Sequence, residues 1–588
     1  MKKKSVLCLV LCWIFLPCLV SAQIGEWTAR YDGGGNGGDV SNALAVDLDG
    51  NVYVTGSSIG NGASTSDCTT VKYDADGNQI WAASYNGPAN ISDGCNAIAV
   101  DNRGNVYVAG GSWGDLSIAK NDYITIKYDA DDGSQVWEAR YDSGNGNDEA
   151  FAIAVDEDGN VYVAGVSTGV GTGYDYVIIK YDLDGNLLWL DRYNGPGNST
   201  DWLNSMKIDE LGNVYVTGYS RAGGNNTEDI ATIKYDTDGN RLWLVRYNGP
   251  RNHRDMGGAL TIDDDGNVYV TGLTWGGTSK KDDCITIKYD ANGTQLWTAT
   301  YQGPVAFGDE GDAIAVDHDG NVYVAGVSHG GASYYDYITL KYDANGTEQW
   351  VSRYNGPGNN LDWADALALD TNGNVYVTGE SDGSGSEGDY TTIKYDTDGN
   401  LIWIARENGP GNGNDSANDI ALDNNDAVYV TGANVGSDSS SDYFTIKYDK
   451  DRPEVVNRPP VAADQTVTTN EDTPVSIILG SDPDGDSLTY AMSDQPDHGL
   501  LSGTPPDLTY TPDADFQGSD SFTFMLNDGQ VDSAPATVSI TINPVNDPPV
   551  LGPIGNKAVN EGEPLQIITT ATDPDDDTLT FSASNLPT

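Results

Sequence analysis

The chain has 588 residues, a formal net charge of −58 and an abundance of Gly (71) and Tyr (34). Its length suffices for several domains. So acidic a surface repels nucleic acid, whose binders cluster Lys and Arg, and suits an extracellular or cation-binding protein.

Residues 1–22 read as a secretory signal. Lys2, Lys3 and Lys4 lead into an apolar run over 6–20, and a small-residue cleavage site ends at Ala22. A retained membrane anchor is the rival, but the run is short for a span. Three of the six cysteines fall in this segment, leaving Cys68, Cys95 and Cys284, an odd number without metal-like spacing. Cys68 and Cys284 occupy equivalent repeat positions where tyrosine is usual, so these cysteines are expected to be small core residues.

A Val-Tyr-Val motif begins at Val52, Val106, Val161, Val214, Val268, Val322, Val375 and Val428, a period of 53 to 55 residues. A period of this size marks a repeat architecture. Each copy holds four strand-like runs with period-two alternation; in the second copy they span 96–101, 105–110, 122–129 and 136–141. The first run alternates Ala with Ile or Val, and small residues on one face suit an innermost strand. Asp-x-Asp-Gly-Asn turns join first to second and third to fourth strands, with Gly accepting positive φ and Asp bonding the turn backbone. The other connections are longer, so tight turns fall on one face and long loops on the other. The turns resemble the start of a calcium loop but lack its later ligands, and plain turn chemistry is the expectation. An Asp also recurs eight times at the entry to the third strand, from Asp67 to Asp442. Another precedes the first strand, from Asp39 to Asp415. Such recurrence argues for a structural task on the loop N–H groups.

Four antiparallel strands repeated eight times predict an all-β fold, an eight-bladed β-propeller over 23–450. The eighth copy lacks a tryptophan strand, while the N-terminus carries an orphan one, "GEWTARY" (25–31). A ring places 25–31 beside 442–449 and leaves no unpaired edge; a stacked solenoid explains neither leftover. The copies, with "GNVYVTG", "TIKYD" and "GN..W", resemble the bacterial SBBP propeller repeat along 25–449. The stretch "YDADDGSQVW" (128–137) also resembles the tryptophan-docking motif of quinoprotein dehydrogenases. That resemblance implies that Trp81, Trp137, Trp189 and Trp243 lock adjacent blades.

Residues 451–463 read as a Pro-rich linker. Strand runs at 475–479, 488–492, 508–512, 520–526 and 536–542 then predict a β-sandwich over 464–546. Residues 547–588 open a second copy, and Thr588 falls under halfway through it, so a truncated module is expected. These modules resemble bacterial cadherin-like and Ig-like tandem domains. The resemblance implies calcium held by Glu471, Asp482, Asp484, Asp486, Asn546, Asp547, Asp573, Asp575 and Asp577, hard oxygen ligands at a linker.

Residues that break the repeat are the better clue to a ligand. Arg221, Arg251, His253, Arg254, Lys280 and Lys281 fall in long loops of the fourth and fifth repeats and form one basic sector suited to an anion such as an acidic glycan. The four histidines show no catalytic pairing or metal spacing. The expectation is a secreted or cell-surface, non-enzymatic adhesion protein whose monomeric propeller binds an extracellular glycan or surface protein on a calcium-stiffened stalk. The alternative is a secreted enzyme acting on polysaccharide or by quinone chemistry; the adjacent-cysteine pair of the quinoproteins is missing.

Overall fold

The computed structural model describes residues 26–449 and 460–584, apart from 35–36, 61–64, 116–119, 145, 224–227, 278–280, 306, 331–333, 384–386, 412, 437–439, 481–487, 505–506 and 528–532. The secretory segment and most of the linker lie outside the described residues. Every regular element among the described residues is a β-strand. The chain divides into two compact units, 1–455 and 456–588.

The first unit consists of eight four-stranded antiparallel sheets. Sheet 1 comprises Val40–Val46, Val52–Ser58, Asp67–Tyr73 and Gln79–Tyr85. Sheets 2 to 7 repeat this order within 93–141, 148–193, 201–247, 255–301, 309–354 and 362–407. Sheet 8 takes three strands from Ser416–Leu422, Val428–Val435 and Ser441–Tyr448, and its fourth from Trp27–Tyr31. The register sets Trp27 opposite Lys447 and Tyr31 opposite Tyr443, the pairing expected from the leftover runs.

The first strand of sheet 2 begins three residues earlier than its alternation suggested. Asp93–Val100 starts ahead of the run at 96, and its register shifts between Cys95 and Ala97. The bulge brings backbone hard against the second strand: a Cβ on Gly56 would lie 2.0 Å from the Val40 carbonyl oxygen. Only glycine fits there, which is why the Val-Tyr-Val strand continues into Gly.

The repeat residues mostly hold one sheet to the next. The indole N–H of Trp27, Trp81, Trp137, Trp189, Trp243, Trp297 and Trp350 donates to a carbonyl in the third-to-fourth turn of the following sheet, at 3.0–3.2 Å. The ring lies on that turn's glycine; a Cβ on Gly77, at φ +84°, would sit 2.5 Å from the Trp27 ring. The third-strand lysines, Lys72 among them, lie over the Val-Tyr-Val tyrosine rings at 4.7–5.6 Å. Sheet 1 also bonds to sheet 8: Ser41 Oγ donates to the Gly432 carbonyl at 2.7 Å, and the Leu44 N–H donates to Asp419 at 2.8 Å.

The cysteine expectation is corrected. Cys68 and Cys95 form a disulfide, with Cα atoms 5.1 Å apart, while Cys284 is free and buried. The bond spans sheets 1 and 2. Elsewhere the residue equivalent to Cys68 is often a tyrosine doing the same work without a covalent link: Tyr123 donates to the Val177 carbonyl of the next sheet at 3.2 Å.

In the second unit, Gln465–Asn470 pairs parallel with Ala536–Asn543, and Gly518–Asn527 and Thr489–Asp494 complete that sheet. Val475–Ile478, Asp507–Pro512 and Gly499–Thr504 make a second sheet. Ile477, Leu508, Tyr510, Phe522, Phe524, Val538 and Ile540 fill the core. The strands at 465–470 and 499–504 were not among the expected runs. From 547 to 584 one short pair forms, Val550–Leu551 with Ala571–Thr572.

Candidate ligand-binding site

The tight turns spend their aspartates on themselves. Asp47 Oδ1 accepts the N–H groups of Asp49 and Asn51, and its Oδ2 accepts Asn51 Nδ2–H and the Tyr53 hydroxyl, at 2.8–3.0 Å. The long-loop aspartates are structural too. Asp39 accepts the Gly33 and Ile59 N–H groups at 2.8 and 2.7 Å. At the third-strand entry, Asp122, Asp175, Asp229, Asp336, Asp389 and Asp442 pair with fourth-strand arginines at 2.7–3.1 Å. Ser84 and Thr300 hold the arginine place in the other two sheets.

The repeat breaks at the bulge of the first strand. Asn42, Asn96, Asn204 and Asn418 stand there in four sheets, each donating its amide to a first-strand carbonyl of the next sheet at 2.7–2.9 Å. The other four sheets carry Phe151, Gly258, Asp312 and Asp365. The two acids fall in adjacent sheets. Glu310 lies two residues before Asp312, and Glu380 enters from the second strand of sheet 7, opposite Trp363.

Leu361, Trp363, Asp365, Glu380, Ser416 and Asn418 line a cavity of about 320 Å³. The size is at the small end for small-molecule sites. An aromatic run leads to it. Phe307 stacks on His329 at 4.6 Å, His329 meets Tyr335 edge-on at 5.3 Å, and Tyr335 lies 5.9 Å from Trp363. Phe307 and Trp363 are exposed. In sheet 4 the equivalent Trp202 is instead packed between Phe151 and Tyr174, at 5.4 and 5.3 Å.

The carboxyls at this end are hard to ionise. Asp365 is open to solvent on one side yet ringed by protein, and that desolvation, with Glu380 beside it, pushes its carboxyl up to about 7. Desolvation also raises Asp312, next to Glu310 and Asp365, and Glu380, although Asn414 donates to the latter at 3.2 Å. A half-protonated carboxyl beside an exposed indole can donate and accept hydrogen bonds while the ring supplies an apolar platform. The sequence signal was available in the bulge residue of each first strand, once the register is known.

Two cations of the basic sector are neutralised. Arg221 pairs with Glu228 at 2.9 Å, Arg254 pairs with Asp282, Arg251 lies over Gly277, and His253 stacks on Trp275 at 4.2 Å. Lys280 and the side chain of Lys281 lie outside the described residues.

Of the calcium set, Asp482, Asp484 and Asp486 lie outside the described residues. The structure brings Asp547 together with Asp472 and Asp515, their carboxylate oxygens within 4.8 Å of one another. Glu471 accepts the Val545 N–H, and Asp575 accepts the Asp547 N–H at 2.6 Å. Asp573 accepts the N–H groups of Asp575 and Asp577, at 3.1 and 3.3 Å, as an ordinary turn does. Asn546 bonds the Asp547 carbonyl at 3.1 Å. Asp547 Oδ2 is buried without a hydrogen-bond partner, and desolvation, then Asp515 and Asp472, raises its carboxyl. This donor set fits a hard divalent cation. Asp472 and Asp515 were missed because they lie 43 residues apart and meet across a loop.

A β-propeller-repeat model, SBBP, matches residues 21–62 and 349–385, and a bacterial Ig-domain model matches 457–541. The chain is a propeller-repeat protein with a bacterial Ig domain. A third model, outer membrane protein assembly factor BamB, matches residues 66–274 of this propeller-repeat protein. The Ig and BamB-type matches suggest an extracellular or envelope protein, and propeller plus Ig domain suggests a surface or binding protein. The protein is 26% identical over 446 residues to an uncharacterized WD repeat-containing protein, L264, of Acanthamoeba polyphaga mimivirus, covering 67% of this chain and 29% of that one. It is 34% identical over 107 residues to Chitinase A of Pseudoalteromonas piscicida, covering 18% of this chain and 13% of that one. Among solved structures, the β-propeller domain of the Trilobed protease from Pyrococcus furiosus is similar at 10% identity and a TM-score of 0.36, over 61% of this chain and 96% of that one.

Proposed function

We propose that this is a secreted or cell-surface, non-enzymatic binding protein, whose eight sheets form one closed, eight-bladed ring presenting a glycan site at its long-loop face. Closure is supported by the pairing of 27–31 with 443–447, by the bonds between sheets 1 and 8, and by the influence of Lys207 in sheet 4 on Asp419 in sheet 8. The first strands then line a central channel, and the Trp363 pocket opens into it. The observation that carries the reading is the aromatic run from Phe307 to Trp363 ending at Asp365 and Glu380. Rings that stack on sugar faces beside paired carboxyls suit a saccharide. The Ig-like modules serve as a stalk, stiffened by calcium at Glu471, Asp472, Asp515 and Asp547.

The test is retention on immobilised polysaccharides. Trp363→Ala is expected to weaken retention about tenfold, roughly 1.4 kcal/mol, with the fold intact; no retention on any polysaccharide would sink the reading. One observation favours an enzyme: a carboxyl held at about 7 beside a second carboxylate is the pairing that glycoside hydrolysis uses. Release of reducing ends from a bound polysaccharide, lost in Asp365→Asn, would establish that instead.

A further inference from the structure

We propose that the Trp363 pocket selects glycans bearing free ammonium groups, that is de-N-acetylated amino sugars, over neutral and acidic ones. The proposal rests on the glycan reading above and adds the charge of the ligand.

The argument is electrostatic and geometric. Asp282, Glu310, Asp312, Asp365 and Glu380 follow one another from sheet 5 to sheet 7, each close enough to disturb the next. Among the described residues the cation acting on this row is Arg254, already bonded to Asp282. The six residues lining the pocket include two carboxyls and no Lys or Arg. A concave, protein-walled site of one sign focuses potential and concentrates ligands of the other sign. An acidic sugar is therefore repelled, and a neutral one leaves two crowded carboxyls uncompensated. Asp312 Oδ2, in the carboxyl next to Asp365 in this row, is shielded from solvent and has no hydrogen-bond partner among the described residues.

An ammonium group answers each of these conditions. Its three donors match Asp365 and Glu380, and its charge offsets the desolvation that raises both carboxyls. The sugar ring that carries it lies on the Trp363 face, which is 39% exposed, with Leu361 beside it. An aromatic face also attracts a nearby cation. Asn418 and Ser416 supply neutral polar contacts at the far wall.

The experiment is calorimetric titration of the whole protein, near neutral pH and at fixed ionic strength, with glucosamine, N-acetylglucosamine and glucose hexasaccharides. The glucosamine oligomer is expected to bind about tenfold tighter or better, roughly 1.4 kcal/mol. Asp365→Asn and Glu380→Gln should each shrink the preference of the glucosamine oligomer over the neutral ones, whereas Trp363→Ala should weaken all three and leave their ratio standing. Equal affinity for the three overturns the charge selection and leaves the platform reading standing. No binding of any oligomer overturns both. A linear polyamine that binds as tightly as the glucosamine oligomer, independently of Trp363, overturns the sugar half of the proposal.

Discussion

Trp27 shows what a single residue does across a seam. Its ring packs against Tyr73 and Tyr429 at 6.2 and 6.1 Å, lies on Gly77, and bonds Ala75, all far away in sequence. Trp27→Ala should cost about 3–5 kcal/mol in urea unfolding, as for a buried aromatic. Gly77→Ala should also destabilise, because it adds a Cβ into that ring at positive φ. The double variant should cost less than the sum of the two, because the ring that the new methyl strikes is gone. Residue identities of this kind were legible: the lysine recurs in all eight copies, and the tryptophan and the turn glycine in the first seven. The disulfide was not, because spacing alone does not reveal which third strand faces which first strand. Cys284 sits where Cys68 does, and Gly311 where Cys95 does; a Cβ on Gly311 would lie 3.1 Å from Cys284 Sγ. The same Cβ would lie 2.2 Å from Thr271 Oγ1, so Gly311→Cys should form a second disulfide there once that hydroxyl turns away. Thiol titration of the denatured, unreduced protein should then find the Cys284 thiol consumed.

At the scale of elements, the first strand carries the information that distinguishes one sheet from another. Its alternation was readable, but its bulge was not, and the bulge decides which side chain faces the neighbouring sheet. Asn at that place ties sheets together; Asp365 at the same place in sheet 7 lines the pocket. Sheet 8 has its own buried acid one residue later, Asp419, which accepts the Leu44 N–H. Desolvation pushes its carboxyl up from 3.8 to about 6. A folded pKa above the unfolded one means that the native state holds this proton more tightly. The stabilisation is therefore fully present below about pH 4, is lost as pH rises to about 6, and is flat above. The fall should be of order 1–3 kcal/mol. Asp419→Asn keeps an acceptor for Leu44, so its thermal midpoint should change less between acidic and neutral pH than the wild-type midpoint does.

For the whole molecule, the calcium proposal makes the sandwich unit metal-dependent. Saturating calcium should raise its unfolding free energy by about 2.7 kcal/mol at a hundredfold excess over Kd. Chelation should reverse this, and Asp547→Asn should remove the difference; an unchanged midpoint with and without calcium would argue for a plain acidic turn. The sequence by itself determined the period, four strands per copy, the placing of tight turns and long loops at opposite ends, and the pairing of 25–31 with the eighth copy. These follow from local rules of alternation and turn chemistry, repeated often enough to leave little choice. Tertiary structure decided the rest. It joined Cys68 to Cys95, neutralised Arg221 and Arg254 with Glu228 and Asp282, brought Asp472 and Asp515 together with Asp547, and assembled Trp363, Asp365 and Glu380 into a pocket. Each of these depends on contacts between strands or loops that periodicity does not specify. A repeat sets the phase of a side chain within its own strand, whereas its partner across a seam is set by how the sheets pack.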